Sequence, residues 1–283
     1  MTPVEKEKTM IAVSSPLAAL DAAHIPYVSA DEAYNLMRTE LDRLLKVVET
    51  LGSDDWGKPT ACTEWTVRDM LAHQAGGFAS GTGYREMFRQ ARSRPGPGQL
   101  IEDAINAFQL RERAGRSPAE LIEELRQAGP AAVRHWAYGF RLAKLIAIPH
   151  PVAGKLSMRH LMWVIHSRDT WMHRLDICRA AGREFEQTAG HDGRIAGLVM
   201  LDVANVLRRK FNGPALVFDL TGIAGGVWKI GPGEPAAAIR ADVLDFNIFA
   251  SGRYTFEQFR PMAAITGDVS VAEEALRQIL VLY

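Results

Sequence analysis

The periodicity of the chain changes once, after Gly213. Before that point apolar residues recur at helical spacing, and the starts of the helical segments are marked. Ser29-x-x-Glu32, Thr66-x-x-Asp69 and Ser117-Pro118-Ala119-Glu120 each place a hydroxyl three residues ahead of a carboxylate. In that pattern side chain and backbone cap each other at a helix N-terminus. Pro118 suits a first turn, where no N–H is needed. Behind Ser29, the residues Leu36, Met37, Leu41, Leu44, Leu45, Val48 and Leu51 form an apolar stripe. Thr66 opens a second helix containing MLAHQAGG, and Ser117 a third that reaches about residue 138. A fourth is expected from about Ser157 to Ala181 and a fifth from about Asp192 to Phe211. RSRPGPGQ (92–99) reads as a loop with a short helix after it.

Beyond Gly213, PALVFDLTG, GGVWKIG and AAAIRAD are short, β-rich and broken by glycine and proline, as strands and turns are. VLDFNIFASGR and SVAEEALRQILVLY return to helical spacing, the second opened by Ser270-x-x-Glu273. The expected organisation is a flexible leader over 1–29, a helical bundle over 30–212 and a small α+β domain over 213–283.

Composition removes several classes of function. Lys plus Arg equals Asp plus Glu, at 33 each, so no global field favours nucleic acid or an anionic membrane. The densest basic cluster, Arg208, Arg209 and Lys210, lies where a helix is expected to end and complements its dipole. Two cysteines, Cys62 and Cys178, form neither a CxxC nor a disulfide framework, which suits a reducing cytoplasm. No apolar run approaches the roughly 18–20 residues that span a bilayer. The leader has a short apolar centre behind two lysines, but Glu5 and Glu7 break the basic stretch that a signal peptide needs.

RDTWMHRLDI (168–177) carries the chemistry. Asp169 and His173 stand four apart on the fourth helix; Asp169 falls in a narrow band with Met158, Leu161, Ile165, Met172 and Asp176, and His173 lies at its edge. A carboxylate in a packing stripe needs a partner or a metal. His73 repeats the anomaly on the second helix, whose inward face is suggested by Val67, Met70, Leu71 and Gln74. Gly76 and Gly77 follow it and permit close approach. If the two helices are neighbours, His73, Asp169 and His173 form a two-histidine, one-carboxylate set, the ligand count of a catalytic divalent-metal site with a position left open. His166, one turn earlier, is a spare candidate. The spacing by itself also admits a surface ion pair for Asp169 and His173 and a carbonyl-bonded core histidine for His73. Trp56, Trp65, Trp163 and Trp171 read as core aromatics, Cys62 as a small buried hydrophobe, and Asp268 as a turn or cap residue.

A family likeness bears on this choice. DDWGKPTACTEWTVRDMLAHQAGG (54–77) resembles the Trp, Pro-Thr, Cys, Trp and His-x-x-Gly signature of the mycothiol-dependent maleylpyruvate isomerase-like family, within the DinB-like group of four-helix-bundle metalloproteins. RDTWMHRLDI looks like that family's second motif. DLTGIAGGVWKIGPG, ASGR and ITGDVSVAEEAL are similar to its sterol-carrier-like C-terminal α+β domain. The resemblance runs from about residue 31 to the end. It implies an α-helical DinB-like four-helix bundle followed by a small α+β domain, and a divalent metal, usually zinc, on His73, Asp169 and His173. The family's carboxylate is commonly glutamate, so aspartate is a departure, as are the leader and the extended 92–116 region.

The expected function is a metal-dependent thiol transferase or isomerase that uses a low-molecular-weight thiol, mycothiol-like, against a small electrophile such as maleylpyruvate. Arg253 is the candidate for holding a substrate carboxylate if the tail closes over the site; otherwise it is a helix-end cation. Asp176 is the candidate acceptor that orients a ligand histidine. The rivals are a metal-dependent hydrolase without thiol and a non-catalytic, zinc-stabilised module that binds a ligand or lipid. The expected partners are small molecules, with no nucleic acid and no membrane, and the chain is expected as a monomer or homodimer.

Overall fold

A computed structural model describes residues 19–62 and 64–283. Most of the leader expected over 1–29 therefore lies outside the described residues. Its described end is built into the fold. Leu20–Asp21 (β1) pairs in parallel with Trp228 and Lys229, and Ala22 is fully buried.

The helices are α1 (Ala30–Val48), α2 (Val67–Ser80), α3 (Tyr84–Ala91), α4 (Ile101–Glu112) and α5 (Pro118–Tyr138), then α6 (Met158–His160), α7 (His166–Ala181) and α8 (His191–Lys210). Three of the marked starts are realised as caps. Ser29, Thr66 and Ser117 accept from the backbone N–H of Glu32, Asp69 and Glu120, and Asp69 and Glu120 bond back to the cap residue. Such a cap contributes about 1 kcal/mol. The loop over 92–99 separates α3 from α4. Two elements carry no clear signal in the sequence: α3 itself, and the hairpin of β2 (Ala147–His150) with β3 (Gly154–Ser157).

Helices α1, α2, α5 and α7 pack around one core as a four-helix bundle. Leu36, Met37, Leu41, Leu44 and Val48 bury the stripe of α1. Glu40 interrupts that stripe, wholly buried, and is matched by Arg174 of α7, whose Nε donates to it at 2.8 Å. A buried charge is tolerable only with such a partner.

The tail consists of β4 (Ala215–Thr221), β5 (Gly226–Ile230), β6 (Pro235–Asp242), α9 (Val243–Ala250), α10 (Phe256–Phe259), β7 (Ala264–Gly267) and α11 (Val269–Leu276). Together with β1 the strands form one five-stranded sheet in the order β1-β5-β4-β6-β7. β4 runs antiparallel to β5 and parallel to β6, so the short link from β5 to β6 must cross the end of β4. Gly231 makes this possible: its φ is +97°, and a Cβ there would lie 3.0 Å from the Cα of Ala215.

Two details differ from the sequence reading. The last helix is capped by Asp268, in keeping with its reading as a turn or cap residue, and its side chain accepts from the N–H of Val271. Ser270 is not the cap, because α11 begins at Val269, two residues before a Ser270 cap would start it. The fourth helix is not regular, since Leu161–Ile165 form a π-helical turn between α6 and α7. That turn resets the angular register, and the stripe from Met158 and Leu161 does not continue into Asp169. Helix α8 is shared. Ile195 and Leu198 face the bundle core, while Val199, Met200, Val203, Val206 and Leu207 pack on the sheet. With neighbours on both sides, α7 is buried from Thr170 through Cys178 on every face, so its polar residues His173, Arg174 and Asp176 must find partners inside the protein.

Candidate metal centre

His73 and the Asp169/His173 pair meet where α2 passes α7. His173 Nε2 lies 3.2 Å from Asp169 Oδ1, and His73 Nε2 lies 3.6 Å from Asp169 Oδ2. One ligand atom from each residue fits within 4.8 Å of the others. Ligands at 2.0–2.1 Å from a tetrahedral zinc sit roughly 3.3–3.4 Å apart, so the observed spacings suit a cation of that size. The side chains of His73 and His173 are 10% and 7% exposed against 20% for Asp169, so solvent reaches the group from the carboxylate side.

The protonation of both imidazoles follows from their neighbours. Gln90 Nε2 donates to the carbonyl of Gly76 at 2.9 Å, and a carbonyl only accepts, so the amide of Gln90 has one orientation. Its Oε1 then accepts from Gln109 Nε2 at 2.8 Å, which turns Gln109 Oε1 toward His73. His73 Nδ1 stands 2.8 Å from that oxygen and must carry the proton, leaving the Nε2 lone pair for the site. His173 Nδ1 stands 3.3 Å from Asp176 Oδ2 and 3.5 Å from Arg253 Nη2, an acceptor and a donor, and the nearer acceptor favours a proton on that nitrogen. Two imidazole lone pairs and a carboxylate therefore converge. Gln74 Nε2, which donates to Asp169 Oδ2 at 2.6 Å, compensates only part of that negative potential. The set calls for a cation, either a metal or a proton.

The acid–base balance points the same way. Burial would raise the Asp169 carboxyl, but the charges and hydrogen bonds of His173 and His73 outweigh it and hold the group well below the ordinary carboxylate range. Burial would lower His173, but Asp169 and then Asp176 outweigh it, and its pKa lies above the ordinary imidazole value. Burial would likewise raise Asp176, and His173 and Arg253 bring it down instead.

The remaining sequence candidates divide. Arg253, in the turn after α9, reaches the bundle: its Nε and Nη2 donate to Asp176 Oδ2 at 3.1 and 2.8 Å. Arg253 Nη2 also comes within 3.5 Å of His173 Nδ1, so Asp176 and the guanidinium both flank that nitrogen. His166 is not among the converging ligands; its ring stacks on Trp136 with centroids 3.8 Å apart, and burial lowers its pKa to about 4. Gly76 permits close approach as expected, by the side chain of Gln109, whereas Gly77 has open space.

Three features of the site were missed. Trp65, expected as core, covers both imidazoles with ring centroids at 5.0 and 5.9 Å. Cys62, expected as a small hydrophobe, offers a sulfur within reach of His173 and Asp176; its thiol is pushed up to about 11, mainly by burial. Gln109 has no local signal at all, because its role depends on α4 crossing α2. Gln74 alone was visible, as a polar residue on the inward face of α2.

The fold and the site define a helical bundle with a candidate divalent-metal centre, joined to an α+β tail. The chain belongs to the family described as the mycothiol maleylpyruvate isomerase N-terminal domain, which matches residues 37–178, half of the sequence. His73, Asp169 and His173 lie inside that match and Arg253 lies beyond it. Among solved structures, the chain is similar to a crystal structure of the mycothiol-dependent maleylpyruvate isomerase, with a TM-score of 0.54 at 16% identity over 86% of this chain and 95% of that one. A single-histidine mutant of that enzyme matches at a TM-score of 0.55 and 15% identity, with the same coverage. At such identities the likeness is one of fold, and it spans the tail as well as the bundle. No curated protein matches the chain.

Proposed function

We propose that the protein is a metal-dependent thiol transferase or isomerase, acting with a mycothiol-like thiol on a small electrophile of the maleylpyruvate kind. The observation that carries this reading is the convergence of His73, Asp169 and His173, with His73 Nδ1 hydrogen-bonded to Gln109 and His173 Nδ1 within 3.3 Å of Asp176. These three residues would hold a divalent cation, zinc by the chemistry of the set. Such a cation supplies Lewis acidity that keeps a coordinating thiol deprotonated near neutral pH.

The chain's own groups supply the rest. Gln109 and Asp176 hold the two imidazoles with their lone pairs inward. Trp65 walls the site and limits water. Arg253 spends Nε and Nη2 on Asp176, while Nη1 makes no hydrogen bond among the described residues and is free for a substrate carboxylate. In the isomerase form, the thiol sulfur adds to one carbon of a cis double bond, the resulting single bond rotates, and loss of the same thiol restores the double bond as trans. The family agrees with a small-molecule enzyme, and we place it in the cytoplasm on the strength of its two unpaired cysteines.

The test has two arms. Metal analysis of the purified protein should find about one divalent ion per chain, and His73→Ala should lose it. Turnover of a maleyl-type electrophile should then require added thiol. Equal turnover without thiol would leave the metal and remove the thiol chemistry. Lack of metal in the parent protein would remove both.

A further inference from the structure

A second cavity lies beside α7, about 480 Å³ in volume, and none of His73, Asp169 or His173 lines it. Its walls come from the β2–β3 hairpin, α6, the π-turn, α8 and the C-terminal segment. The volume is within the range of about 300–1,000 Å³ that small-molecule sites occupy.

Its charge is one-sided. Lys155, Arg159, Arg208 and Arg209 line it, and among the described residues none of them has a carboxylate within ion-pair distance. The carboxylate that does line it, Asp202, is already met by His160 Nε2 at 2.9 Å and Arg168 Nη1 at 2.8 Å. Arg168 forms the inner wall. Its side chain is 1% exposed, and its Nε and Nη2 are buried with no hydrogen-bond partner, which is costly for a guanidinium. Arg168 is neutralised by Asp202 and lies over the Tyr283 ring, with Cζ 5.1 Å from its centroid, so the unpaired charge of the cavity rests on the other four cations. The floor is apolar, built from Ile165, Leu201, Val206 and Val281.

From these observations we infer that the cavity beside α7 binds an organic anion with an apolar body, its carboxylate or phosphate head against Lys155, Arg208 and Arg209. An anionic head satisfies cations that the protein leaves without counter-charge, and the apolar body covers the floor. Inorganic anions supply only the first of these contributions.

Calorimetric titration of the full chain at low ionic strength tests this with decanoate, phenyl phosphate and inorganic phosphate as probes. The expected result is one site per chain for an organic probe, with inorganic phosphate weaker by at least about tenfold. Decanoate alone binding marks a fatty carboxylate ligand, and phenyl phosphate alone a phosphate ester. Lys155→Glu/Arg208→Glu should weaken the organic probe at least about tenfold. Asn205→Trp, which fills the cavity without altering charge, should block it. His73→Ala should leave binding intact, separating this cavity from the metal centre. Absence of saturable binding, affinity unchanged in both cavity variants, loss of binding in His73→Ala, or inorganic phosphate binding as tightly as the organic probes would each overturn the inference.

Discussion

Gln109 Oε1 accepts the Nδ1 proton of His73 at 2.8 Å, joining a helix outside the four-helix core to the candidate metal ligand. The bond is the end of a relay that starts at the Gly76 carbonyl, so the backbone of α2 sets the tautomer of its own histidine by way of two other helices. The nitrogen left free on His73 is the one that faces Asp169.

Gln109→Met removes the acceptor while keeping the side-chain volume. Metal affinity should fall about 10–100-fold, the usual effect of losing a partner that orients a ligand. Gln109→Glu still accepts from His73 but loses the donor to Gln90 Oε1, so it should bind metal more tightly than Gln109→Met while being less stable than the parent. Competition with a chromophoric chelator measures both, and equal affinities for Gln109→Met and the parent would show that the relay is incidental.

The two adjacent glycines of α2 should respond in opposite ways. A Cβ at Gly76 would lie 2.6 Å from Gln109 Cγ, and Gln109 is held at both ends. Gly76→Ala should therefore cost about 1–3 kcal/mol and weaken metal binding as well. Gly77 meets nothing within 4 Å, so Gly77→Ala should stabilise the helix by about 0.5–1 kcal/mol. Urea unfolding of both variants decides the matter.

Arg253 and Asp176 form an ion pair with side chains only 9% and 1% exposed. Arg253→Met leaves the carboxylate buried without its cation and should destabilise the protein by about 3–5 kcal/mol. Arg253→Lys should recover part of that stability but little activity, since a single ammonium cannot hold Asp176 and a substrate carboxylate together. Denaturation midpoints and kinetics measured on the same samples separate the two roles.

His166 gives stability a pH dependence of known sign. Burial is the chief cause that lowers its pKa from 6.5 to about 4, so the folded protein keeps the ring neutral where the unfolded chain protonates it. Its contribution is complete above pH 6.5 and is lost as pH falls toward 4, by up to about 3 kcal/mol. His166→Phe keeps the stack on Trp136 and should flatten the stability curve between pH 6.5 and 4. Urea titrations across that window would falsify the assignment if the two proteins kept parallel slopes.

Much of the bundle and half of the site were legible in the chain. Caps at Ser29, Thr66 and Ser117, the stripe of α1, and the strand segments after Gly213 depend on residues within a few positions of one another, and local hydrogen bonding and periodicity reveal them. The placing of Asp169 and His173 on one helical face is equally local. Local signals compete at Ser270, where Asp268 captures the helix start, and the π-turn is announced by no side-chain pattern.

The sequence by itself determined which residues could share a face and where most helices begin, because those properties are set within one or two turns of chain. Tertiary structure alone decided that His73 faces the α7 pair, that Gln109 selects its tautomer, and that Arg253 is committed to Asp176. Each of those contacts joins distant segments. They exist only once the packing of α2, α4, α7 and the tail has excluded water and made every buried polar group find a partner.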